Sequence, residues 1–164
     1  MKSVWLVGPM LALLVAAMPA WGANDSRIEN LTLCRDSWLD WKNTDPSAFD
    51  SFGNYFRSEF AQHGDDGSFT PKSPLIIDGL KVTQVYPGSL GMGLGFSVLV
   101  DAPFDMTKQA VEHDLGKSLG HCEASDGMRS CELSIAEQRT VLLASNDPPN
   151  DMTTLVGCYY FYEK

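Results

Sequence analysis

The sequence predicts an α+β fold: N-terminal helices and a further short helix packed on a mainly antiparallel β-sheet, held by two disulfides. Three observations predict it. Apolar residues recur at helical spacing between Ser26 and Phe60, they alternate with period two from Leu90 to Val100, and the four cysteines form an even set in a chain that begins like an exported one.

The beginning reads as a cleaved secretory signal over residues 1–22. Lys2 precedes an apolar block from Val4 to Ala17, and the small residues Ala20 and Gly22 place the cut after Gly22. The block falls short of the roughly 20 residues that a membrane span needs, and it contains Gly8 and Pro9. Residues 23–164, about 140 in number, are expected to form one domain.

Ser26-Arg27-Ile28-Glu29 has the form of a capping box, and Leu31, Cys34, Trp38 and Trp41 continue at helical spacing, which predicts one helix ending near Asn43 with Cys34 turned inward. A second helix starts at Asp45-Pro46, with Asp45 as N-cap. Its face of Phe49, Phe52, Phe56 and Phe60 reads as core rather than as a ligand-stacking surface, and Gly64 is expected to stop it. From His63 to Pro74 the chain is rich in Gly, Pro and acidic residues and reads as a mobile connection. Asp65 and Asp66 within it lack the alternating ligands and downstream Glu of a calcium loop.

Leu80, Val82 and Tyr86 suggest a strand ending at Pro87-Gly88. The next strand runs from Leu90 to Val100, with Gly91, Gly93 and Gly95 on its second face. Those glycines continue into a strand instead of opening a helix, so they predict close approach of another element, a helix or bulky aromatics, and not a phosphate site. Asp105 is expected to cap a short helix that buries Ala110, Val111 and Leu115 and ends at Gly116. Two more strands, 139–145 and 153–162, flank the loop 146–151. The second is apolar on both faces, as a central strand covered on both sides would be.

Between Cys122 and Cys131, Asp126-Gly127 predicts a two-residue type I′ hairpin turn. Counting outward from it places Cys122 opposite Cys131 in a non-hydrogen-bonded pair, where Cα atoms stand about 4.5 Å apart, within reach of a disulfide. Elimination leaves Cys34 with Cys158. A zinc site built with His121 would need reduced thiols and a ligand spacing that is absent here.

With 12 basic against 21 acidic residues and a net charge of −9, the chain repels nucleic acid and anionic lipid and favours cationic partners. No hydrolase or metalloprotease motif is present, and His63, His113 and His121 stand in no catalytic pattern. The expectation is a non-enzymatic, periplasmic or secreted protein-binding module. It would act as an inhibitor or immunity protein against a basic secreted or cell-wall-active enzyme, without cofactor or metal and without membrane insertion of the mature chain. The alternatives are an envelope assembly factor with a structural role and a small secreted hydrolase. Partner contacts are expected at Asp65 and Asp66, at Asp147 and Asp151, and at Tyr160 and Tyr162 if one face of the last strand is open.

Overall fold

In the computed structural model, which describes residues 23–63, 65–90, 93–146 and 149–160, the chain starts with a two-residue strand, Ala23–Asn24 (β1), and a short helix, Ser26–Thr32 (α1). Asp25, and not Ser26, caps this helix by accepting from the Arg27 amide at 3.0 Å. The single helix expected to reach Asn43 is two helices. Cys34 takes a left-handed backbone (φ +58), which ends the first, and the second, Trp38–Thr44 (α2), starts afresh from Ser37, whose Oγ accepts from the Asp40 amide at 3.2 Å. The apolar spacing runs through the break and conceals it.

Helix α3, Pro46–Glu59, begins as predicted, with Asp45 accepting from the Ala48 amide at 3.0 Å and Pro46 in the first turn. It stops before Gly64 because Phe60 turns extended and stacks on Phe56 with ring centroids 4.4 Å apart. The stretch expected to be a mobile connection is largely a hairpin of Phe60–His63 (β2) and Ser68–Pro71 (β3), so His63 lies in a strand.

Leu75–Ile77 (β4) and Leu80–Leu90 (β5) form the next hairpin, around Asp78 and Gly79, whose φ values of +49 and +76 fit a type I′ turn. β5 continues through Pro87-Gly88 and pairs with Gly93–Val100 (β6). Gly91 lies outside the described residues. Helix α4, Phe104–Leu115, is preceded by Pro103 with no side-chain cap. Asp105, expected as the cap, sits in the first turn and forms an ion pair with Arg129 at 2.8 Å. Gly116 ends the helix at φ +61, as predicted.

His121–Ser125 (β7), Met128–Ala136 (β8), Arg139–Asn146 (β9) and Thr154–Tyr160 (β10) complete one ten-stranded sheet in the order β1-β4-β5-β6-β10-β9-β8-β7, with β2 and β3 joined to it through β5. All pairings are antiparallel except β1 with β4. Strand β10, last in sequence, lies between β6 and β9.

The core lies on one face of this sheet. Val85, Val98, Val156, Leu143 and Cys131 stand in register across five strands and are buried together with Ile28, Leu31, Phe52, Phe56, Phe104 and Val111 of the helices. Both disulfides form as predicted. Cys122–Cys131 joins directly opposed residues with Cα atoms 4.1 Å apart, and Cys34–Cys158 ties the end of α1 to the centre of the sheet across 124 residues of sequence. Among the described residues, no helix is long and apolar enough to cross a membrane.

Candidate functional site

Because side chains alternate across a strand, the register that sends Val156 and Cys158 to the helices sends Leu155, Gly157 and Tyr159 to the opposite face. Leu155 pairs with Leu99 and Ala144, Gly157 with Ser97 and Leu142, and Tyr159 with Gly95 and Thr140. Tyr86 joins this face by pairing with Ser97. None of Tyr86, Leu99, Leu142, Ala144, Leu155 or Tyr159 packs into the helix-covered core, although each is at least partly buried. They form an apolar band across the centre of the face.

The surface of this band is flat at its centre for a steric reason. A Cβ on Gly157 would lie 2.4 Å from Ser97 Cβ, and one on Gly95 would lie 2.3 Å from the Cys158 carbonyl oxygen, so glycine alone fits both places. The glycine face predicts a helix or bulky aromatics packed close to the backbone; at Gly95 the close neighbour is instead the backbone of the adjacent strand. Tyr159 lies beside these glycines, only 8% exposed, and burial pushes its phenol up.

The rim of the band is acidic and polar. On β8, Glu132 pairs with Leu142 and Ser130 with Ala144, so both side chains share the face, and Glu123 on β7 follows from its pairing with Ser130. On the other flank the Tyr86 hydroxyl donates to Gln84, and its phenol is pushed up by burial and then by the charge of Asp66. Asp66 accepts from the Ser68 amide at 2.9 Å and from Ser68 Oγ at 2.6 Å, which holds its carboxyl below the ordinary range and keeps it charged.

Of the residues expected to contact a partner, Asp65 and Asp66 are exposed in the β2–β3 turn, at the margin of this face. Asp151 is partly exposed but precedes Thr154, at the opposite end of the strands, so the two acidic loops are not brought together. Asp147 and Tyr162 lie outside the described residues. Tyr160 is 5% exposed on the helix-covered face, where its hydroxyl donates to the Asp36 carbonyl at 3.4 Å, so it serves the core and offers no open surface. Its neighbour Tyr159 is the tyrosine on the other face. Sequence reasoning passes over Leu155 because the last strand, apolar in both phases, reads as covered on both sides, and it does not single out Leu99 or Leu142 at all.

Three carboxylates, those of Glu29, Asp78 and Asp114, gather near the end of α1 with ligand atoms within 4.8 Å of one another. The cation among them is a side chain: the Arg35 guanidinium donates to Glu29 at 3.0 Å and also to Asp114. No family model, no curated protein and no solved structure matches the chain.

Proposed function

We propose that the chain is a non-enzymatic protein-binding module acting outside the cytoplasm, and that its contact surface is the sheet face on which, among the described residues, no helix packs. One observation carries this reading: an apolar band of Leu99, Leu142, Ala144 and Leu155 with Tyr86 and Tyr159, rimmed by Glu123, Glu132 and Asp66. Protein interfaces are built this way, with aliphatic and aromatic residues at the centre and a polar fringe around them. Acidic groups at the fringe steer a basic partner into contact, and the net charge of −9 acts in the same direction at longer range. Two disulfides fit an oxidising compartment.

The partner class that suits this surface is a secreted or cell-wall-active enzyme with a basic face, inhibited by occlusion. The test is capture from secreted and envelope fractions on the immobilised, oxidised chain without residues 1–22, at low and high salt. A basic enzyme retained at low salt, released as salt rises, and inhibited by the free chain is the expected result. Retention of nothing, or of an enzyme whose activity is unchanged, contradicts the reading.

A further inference from the structure

Asp78 occupies the first central position of the β4–β5 turn in a left-handed backbone, a conformation that Asp and Asn tolerate better than most residues. The turn directs its carboxyl at two helices. Asp114 and His113 face it from α4, and Glu29 faces it from α1, with Arg35 just beyond that helix. Arg35 is committed to Glu29 and Asp114, to the second through both its carboxylate and its carbonyl. Asp78 Oδ2 is buried and has no hydrogen-bond partner. One guanidinium therefore stands among three carboxylates and bonds to two of them, and the carboxylate left over is the one at the hairpin tip. Beside it, a groove of about 540 Å³ runs between the hairpin and α4, lined by Asp78, Leu80, Met106, Gln109, Ala110 and His113.

We propose that Asp78 is a proton-operated latch: neutral, it lets the β4–β5 hairpin close on α1 and α4, and ionised, it meets Glu29 and Asp114 and loosens that closure together with the groove. The electrostatics agree with the geometry. Burial raises the Asp78 carboxyl first, Asp114 and Glu29 raise it further, and Arg35 and His113 pull it down, leaving it at about 6. Because the folded value lies above the ordinary 3.8, the stabilisation is fully present below 3.8 and is lost as pH rises through about 6.

The test compares wild type with Asp78→Asn, which keeps the turn and fixes the neutral state. Thermal unfolding and amide hydrogen exchange are followed across this pH range. Asp126→Asn, the same exchange in the exposed type I′ turn of the β7–β8 hairpin, measures what turn chemistry alone contributes. The expected result is a melting-temperature gap in favour of Asp78→Asn that opens as pH rises. Above pH 7, amides of residues 75–82 should exchange about tenfold faster in wild type than in the variant, the factor that corresponds to one pKa unit of coupling. A gap that stays constant with pH overturns the latch, and so does a pH-dependent gap without faster exchange in the hairpin.

Discussion

Gly157 is the residue at which the smallest chemical change should do the most damage. Its missing side chain leaves room for Ser97 on the adjacent strand, and Gly157→Ala would bring a methyl to 2.4 Å from Ser97 Cβ and 3.0 Å from the Phe96 carbonyl oxygen. Overpacking in a sheet interior costs about 2 kcal/mol, so chemical denaturation should show a lower midpoint with little change in slope. Glu112 has a gentler role. It accepts from Lys108 Nζ at 2.6 Å, Ser118 Oγ at 2.9 Å and the Leu119 amide at 2.8 Å, tying the end of α4 to the chain that leaves it. The Lys108 bond, with the two others, holds its carboxyl below the ordinary 4.5. Its contribution is therefore present above 4.5 and is lost as pH falls through the lowered value. Glu112→Gln should cost roughly 1 kcal/mol at neutral pH and progressively less in acid, as read by denaturation at several pH values. In the sequence Glu112 is a polar neighbour of His113, and nothing local shows its link to Leu119, which depends on the left-handed turn at Gly116.

The two disulfides differ in exposure and in the length of chain they close. Cys34 and Cys158 are 2% and 0% exposed and stand 124 residues apart, whereas Cys122 is exposed and lies 9 residues from Cys131. In the chain-entropy model the long loop contributes about 5 kcal/mol and the short one about 3. Graded reduction followed by alkylation and mass mapping should therefore open Cys122–Cys131 first, and simultaneous loss of both bonds would contradict this. The short bond was legible because Asp126-Gly127 fixes a register that can be counted outward. Asp78-Gly79 carries the same signature and passes unnoticed, since the strand before it has only three residues, too few to show alternation. The break between α1 and α2 was hidden in a different way. Leu31, Trp38 and Trp41 keep helical spacing across it, while the backbone, left-handed at Cys34, on which the bond to Cys158 acts, and extended at Ser37, interrupts the helix.

Across the whole molecule, helices cover one face of the sheet and strand β10 fills its centre. Local patterning predicted both the α+β class and the central place of the last strand, because alternation and turn residues act over a few positions. Which face the described helices leave uncovered was not legible. Val141-Leu142-Leu143-Ala144 and Leu155–Tyr160 are apolar in both phases, a pattern shared by a strand buried on both sides and by one with a sticky open face. The acidic residues were visible as composition, but their grouping depends on register, which sets Asp66 beside Tyr86 and Asp151 at the far end. The most direct test of a binding face is therefore a variant that alters its centre and spares the core, Leu142→Glu/Leu155→Glu. Its capture of the wild-type partner should be compared at equal loading once circular dichroism and disulfide mapping match wild type. A binding face centred on these residues predicts a drop in affinity of about tenfold or more, whereas undiminished capture by a folded variant would contradict it.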